Sequence, residues 1–184
     1  TAIWNGSQYF GNAGGIFQAE SGYTDAGANI TAYYKEKNYI FAGRLIRLKN
    51  LERLKNAFAQ AQKINPEIKL EIISKISHIE LMEKIQSCCA VILPSLSDIS
   101  PNFILDAIRA DRPFILTKET GFYDKLKDIG IFIDPSDTGD IAKKILFLAD
   151  DENYAEYRKR VLSFKFTHSW REIVDEFLGI YNKL

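Results

Sequence analysis

The sequence is poor in the residues that usually announce a site. It holds two cysteines, two histidines, one methionine and no excess of either charge, with 24 Lys plus Arg against 24 Asp plus Glu. Cys88 and Cys89 are adjacent, precede an apolar run and lack the spacing of a metal site. They read as reduced, mostly buried residues of a cytoplasmic protein. His78 and His168 lie far apart with no ligand partners near them in sequence, so no metal site is read. A net charge of zero argues against a general nucleic-acid binder, which needs surplus cations for phosphates, although a local basic site is still allowed. No apolar run approaches the roughly 20 residues of a membrane span. No charged start followed by an apolar centre marks a signal peptide. The first residue is Thr1, which suggests a fragment or a processed product.

What is present is ordinary for a globular protein: 46% hydrophobic and 26% charged residues in a chain of 184. That length suits one sizeable core. Residues 1–37 stand apart, rich in Gly, Ala, Asn, Thr and Tyr. Gly11, Gly14 and Gly15 lie there, but without the strand–turn–helix context of a phosphate loop. The segment reads as an irregular arm or linker, and the domain as residues 38–184.

From Tyr39 onward, short apolar runs alternate with amphipathic stretches. Strands are expected at Tyr39–Ala42, Ile68–Ile73, Ala90–Leu93, Phe114–Leu116 and Ile131–Ile133. Between Asn50 and Lys63, the spacing of Leu51, Leu54, Ala57, Phe58 and Ala61 predicts a helix, broken at Asn65-Pro66. Ser77 and Glu80 form the pattern of a capping box opening the next helix. Further helices are expected over Pro101–Ala110, Gly121–Lys127 and about 138–149, 151–164 and 169–183. His78 reads as a first-turn surface residue. This alternation predicts an α/β fold: a Rossmann-like, doubly wound parallel sheet of about five strands, helices on both faces and a helical C-terminus. In such folds ligands bind beyond the carboxyl ends of the strands, where the strand order reverses. The segments to inspect are Gly43-Arg44-Leu45, Pro94–Ser100 and Thr117–Gly121.

Arg44 and Lys49 follow the first strand, and two cations there can neutralise a diphosphate. Equally, both can be solvated charges paired with Glu52 or Glu71. After the third strand comes SLSDISPNFILDAIRAD, Ser95 to Asp111. Ser100 has the chemistry of an N-cap and Pro101 that of a first helical residue. The N–H groups of Asn102, Phe103 and Ile104 would then face outward and form an anion site. Asp106 shares a helix side with Asn102 and Arg109, so an Asp–Arg surface pair is the plain alternative. A carboxylate beside a phosphate site makes sense if it accepts from sugar hydroxyls, two of which one ionised aspartate can take. Cations for the diphosphate with Asp98 and Asp106 for the sugars is the layout of a nucleotide-sugar site.

These residues resemble a family. The strand before Gly43-Arg44-Leu45, with Lys49-Asn50, is similar to its G-R-L-x-x-x-K-[GN]. Pro94-Ser95 through Pro113 is similar to its P-S-x-x-E-x7-E-A-x-x-x-G-x-P. Asp134-Pro135 and Ser169-Trp170 also match. The family is the retaining glycosyltransferases of GT-B fold, glycosyltransferase family 4 (glycosyl transferases group 1), and the resemblance covers its C-terminal, donor-binding half. The resemblance implies that Arg44 and Lys49 hold the donor diphosphate and stabilise the leaving group's charge. It implies that Asp98 contacts the transferred sugar, that Asp106 binds the ribose hydroxyls, and that Gly43 and the backbone of Ser100, Pro101, Asn102 and Phe103 line the donor site. It further implies retaining transfer of a hexose to a glycan or glycolipid acceptor, as in polysaccharide biosynthesis, with no bound metal and no separate cofactor. The expected partners are the nucleotide-sugar donor, of UDP or GDP type, that acceptor, and an N-terminal acceptor-binding domain not contained in this chain. The expected location is cytoplasmic, with the inner face of the membrane reached through the full-length protein.

The sequence departs from the pattern in named places. Both glutamates are aspartates, each shorter by one methylene. Asp111 stands where the family has glycine. The segment between the second and third strands is shorter than in most members, and the N-terminal half is missing. Three functions stay open: a donor-binding domain inactive without its other half, a degenerate binding or interaction module, and a nucleotide-sugar epimerase on the same fold.

Overall fold

The computed structural model describes residues 37–164 and 170–182; the readings made for residues 1–36, His168, Ser169 and the Trp170 side chain lie outside what it describes. Five strands form one sheet: β1 (Lys37–Ala42), β2 (Ile68–Ile73), β3 (Ala90–Leu93), β4 (Phe114–Thr117) and β5 (Ile131–Ile133). Their order is β2-β1-β3-β4-β5. Every neighbouring pair is parallel. Residues Tyr39–Ala42, Ala90–Leu93 and Phe114–Thr117 are buried throughout, which is why these strands read as unbroken apolar runs rather than alternations. β2 is an edge strand and carries charge on it, Lys69 and Glu71, as sheet edges commonly do.

The helices are α1 (Leu51–Ile64), α2 (His78–Ser87), α3 (Asn102–Arg109), α4 (Tyr123–Leu126), α5 (Thr138–Ala149), α6 (Asp151–Ser163) and α7 (Trp170–Tyr181). α1 buries Leu54, Ala57, Phe58 and Ala61, one stripe at helical spacing. It ends at Asn65, ahead of Pro66. α2 opens on the expected capping box: Ser77 Oγ accepts from the Glu80 N–H, and Glu80 accepts from the Ser77 N–H. Those two bonds hold the Glu80 carboxyl below its ordinary range.

α1 packs against α5, and α2 against α3. Right-handed crossovers give the same division: leaving β1 for β2 and leaving β3 for β4 run in opposite directions, so their helices cover opposite faces. Tyr39, Phe41, Phe114, Ile92, Leu93, Ile115 and Leu116 are fully buried at the sheet's centre, with Leu54 and Ile104 fully buried on the helices. Tyr39 meets Phe58 edge-on at 5.6 Å between ring centres and donates its hydroxyl to the Ile145 carbonyl at 3.0 Å. Truncating a residue as buried as Leu54 to alanine would cost about 2–5 kcal/mol. The strand order reverses between β1 and β3, so the functional edge of the sheet lies beyond Ala42 and Leu93.

Candidate donor site at the carboxyl edge of the sheet

Asn50 organises this edge. It sits in the left-handed backbone region, φ 59°, between the 3-10 turn Arg47–Lys49 and α1. Its side-chain amide donates to the Pro94 carbonyl at 3.0 Å and to the Pro135 carbonyl at 2.7 Å. One side chain therefore ties the loop after β1 to those after β3 and β5. Arg53 supports it, donating to Asn50 Oδ1 and to the Pro135 carbonyl, both at 3.0 Å. The Leu96 N–H donates to the Leu48 carbonyl and adds a backbone stitch between the first two loops.

Lys49 and Asp98 meet across this seam, Nζ to Oδ2 at 2.6 Å. The carboxylate is nearly buried, 9% exposed, and the ammonium 20% exposed. A charge-assisted bond this shielded is stronger than a surface pair. Ser95 Oγ donates to the same oxygen at 3.3 Å. The sequence left Lys49 open to pairing with Glu52 or Glu71; in the fold Glu52 lies by Lys55 and Glu71 by Lys84. Arg44 is exposed and makes no ion pair with any described residue. The Asp98 N–H donates to the Glu119 carbonyl at 2.9 Å, and the Gly121 N–H to the Asp98 carbonyl at 3.3 Å. This pulls the loop after β4 against the loop after β3. A Cβ on Gly121 would stand 2.7 Å from the Ile99 carbonyl oxygen, so the close approach requires glycine there. Lys118, just past β4, pairs with Asp134 after β5 at 2.8 Å. That bond, with the Ser136 N–H, holds the Asp134 carboxyl below its ordinary range.

The start of α3 differs from expectation. The helix opens at Asn102, and Pro101 precedes it at φ −81°, ψ 72° with no side-chain cap. Ser100 does not cap it. Its carbonyl instead accepts from the Asn102 N–H at 2.9 Å, while the Pro101 carbonyl takes the Ile104 and Leu105 N–H groups. Closing this tight turn consumes two of the three donors expected to face outward; the Phe103 N–H keeps no partner among the described residues. Phe103 itself is buried and Asn102 exposed.

Asp106 is buried and doubly bonded. Arg109 Nη1 lies 3.0 Å from Oδ1, and His78 Nε2 lies 3.2 Å from Oδ2. The Asp–Arg pair exists, but its carboxylate is inside the domain rather than on a solvated face. Asp111 adopts φ 57°, so the family's glycine at that place marks a left-handed residue, a conformation aspartate also tolerates. Asn50 and His78 are the two participants that sequence reasoning passed over. For Asn50 a signal existed: a position that admits only glycine or asparagine points to left-handed backbone. For His78 none did.

No helix among the described residues is long and apolar enough to cross a membrane. Among them no group of three or more His, Cys, Asp and Glu side chains is placed to hold a metal ion.

No family model and no curated protein matches the sequence. Solved structures do. A TarM from S. aureus, in complex with fondaparinux, alpha-GlcNAc-glycerol and UDP, superposes with a TM-score of 0.60 at 17% identity, over 80% of this chain and 36% of that one. Sucrose-phosphate synthase from Thermosynechococcus elongatus gives 0.59 at 19% identity, over 85% of this chain and 48% of that one. The C-terminal domain of a glycosyl transferase group 1 family protein (LpcC) from Francisella tularensis gives 0.57 at 17% identity, over 69% and 82%. What these proteins share with the chain is a fold, that of a GT-B glycosyltransferase domain. The chain spans between a third and a half of the length of TarM and sucrose-phosphate synthase.

Proposed function

We propose that this chain is the donor-binding half of a retaining, nucleotide-sugar-dependent hexosyltransferase, working with an acceptor-binding half that it does not itself contain. The observation that carries the reading is the convergence of Arg44, Lys49 and Asp98 at the reversal point between β1 and β3, beside the start of α3. In this reading Arg44 and Lys49 face the diphosphate. As the bond from the anomeric carbon to phosphate breaks, the electron pair leaves with the diphosphate, and the two cations stabilise it there. Asp98, held by Lys49 and Ser95, accepts from hydroxyls of the transferred sugar through its remaining lone pairs. Asp106 accepts from the ribose. Gly43 and the backbone of Ser100, Pro101, Asn102 and Phe103 line the site, with the Phe103 N–H as its available donor.

Calorimetric titration with UDP, GDP and ADP tests this. One diphosphate binds, and Arg44→Ala and Asp106→Ala each weaken it about tenfold or more, the scale of a charge-assisted bond. No binding of any of the three at millimolar concentration refutes the donor reading.

The Lys49–Asp98 pair also favours a second reading, a binding module without transfer, because the lysine's charge is already met by a carboxylate. Asp98→Asn separates the two. A sugar contact predicts that affinity for the nucleotide sugar falls more than affinity for the bare diphosphate, whereas the module predicts equal changes.

A further inference from the structure

Asp106 is not a lone acceptor. Its side chain is only 10% exposed, whereas the His78 ring bonded to it is 56% exposed. The ring is therefore the solvent-facing member of the pair. It is held there from two sides. The capping box of Ser77 and Glu80 fixes the backbone at the first residue of α2, and Asp106 on α3 fixes the ring. Arg109 occupies the other carboxylate oxygen, so the carboxylate cannot swing away from the histidine without losing its cation.

An ionised carboxylate only accepts, so Nε2 carries the proton in this contact. That leaves Nδ1 as the second polar atom of the pair, an acceptor in the neutral ring. Two neighbouring acceptors, one carboxylate oxygen and one ring nitrogen, suit two vicinal hydroxyls. This step rests on the donor-site reading above. From it we propose that His78 is a specificity-determining residue of the nucleoside subsite. His78 Nδ1 takes one hydroxyl of the ribose diol while Asp106 takes the other, so the pair selects ribonucleotides over 2′-deoxyribonucleotides.

The test compares UDP, GDP and ADP with their 2′-deoxy forms by calorimetry, on the whole chain. For whichever base binds, the ribonucleotide is preferred about tenfold over its deoxy form, the scale of a lost hydrogen bond that leaves a polar group unpaired. His78→Ala reduces that preference to about twofold and changes deoxynucleotide affinity little, because the deleted contact is to the hydroxyl. His78→Gln, which offers both a donor and an acceptor, restores part of the preference. A merely structural role for His78 would weaken both nucleotides equally, and that result overturns the proposal. Imidazole 15N shifts supply a readout that needs no nucleotide: the Nε2–H tautomer in the wild type, lost in Asp106→Asn. If that tautomer is present and no nucleotide binds, the donor-site reading fails and takes the proposal with it. If nucleotides bind and the tautomer is absent, the His78 proposal alone fails.

Discussion

Replacing Asn50 separates its two duties, a left-handed backbone and a double amide donor. Asn50→Gly keeps the backbone, since glycine adopts φ near 59° without steric cost. It removes the bonds to the Pro94 and Pro135 carbonyls. The Pro135 carbonyl retains Arg53 as a donor, whereas no other described donor is recorded for the Pro94 carbonyl. Pro94 is buried, so its oxygen bears the fuller desolvation cost. Two hydrogen bonds at about 1 kcal/mol each, plus a few tenths for the freer unfolded backbone, amount to roughly 2–3 kcal/mol. Asn50→Ala loses the same bonds and adds left-handed strain, about 1 kcal/mol further. Asn50→Asp tolerates the backbone and keeps Arg53, but turns a carboxylate oxygen on the two carbonyls, and is the most damaging of the three. Urea unfolding followed by circular dichroism reads the order Gly, then Ala, then Asp in rising cost. For a chain of this size the glycine variant also melts about 5–10 °C lower. The reasoning is refuted if the glycine variant is as stable as the wild type, or if alanine costs no more than glycine.

At Asp111, with φ 57°, alanine is expected to fall about 1 kcal/mol below glycine in urea midpoint measurements, whereas in an ordinary helical or extended position the order would reverse. For Cys88 and Cys89, burial is the leading cause that pushes each thiol up to about 12. The unfolded chain loses these protons near the ordinary value of about 8.5 while the folded chain keeps them, so the unfolded state binds fewer protons between roughly pH 9 and 12. Their contribution is therefore fully present below about pH 9 and declines as pH rises, by up to about 1.4 kcal/mol per pH unit for each thiol. Urea titrations at pH 8, 9 and 10 should show that slope and a flatter one after Cys88→Ala. The same burial predicts that native protein resists alkylation at pH 8 and that both thiols react once it unfolds.

The elements were legible because their signals are local. Leu54, Ala57, Phe58 and Ala61 mark the buried stripe of α1 from within fourteen residues. Ser77 and Glu80 write the start of α2 in four. The parallel sheet followed from unbroken apolar runs separated by amphipathic stretches. The start of α3 was read less well, because Ser100-Pro101 satisfies the residue preferences of a cap whether or not the hydroxyl turns toward the helix. In the fold the loop after β3 is drawn against the loop after β4 through Asp98, Glu119 and Gly121, and the Ser100 carbonyl closes the turn instead.

By itself, then, the sequence determined the class of fold, the identity of the strands and helices, and which loops reach the functional edge. Those properties depend on neighbours a few positions apart. Only the tertiary structure decided the pairings at that edge. Lys49 meets Asp98 across 49 residues, His78 meets Asp106 across 28, and Asn50 meets Pro135 across 85. Each pair forms because the order β2-β1-β3-β4-β5 gathers loops that are distant along the chain. A residue's type states what bond it can make, and the sheet order decides which partner is within reach to make it.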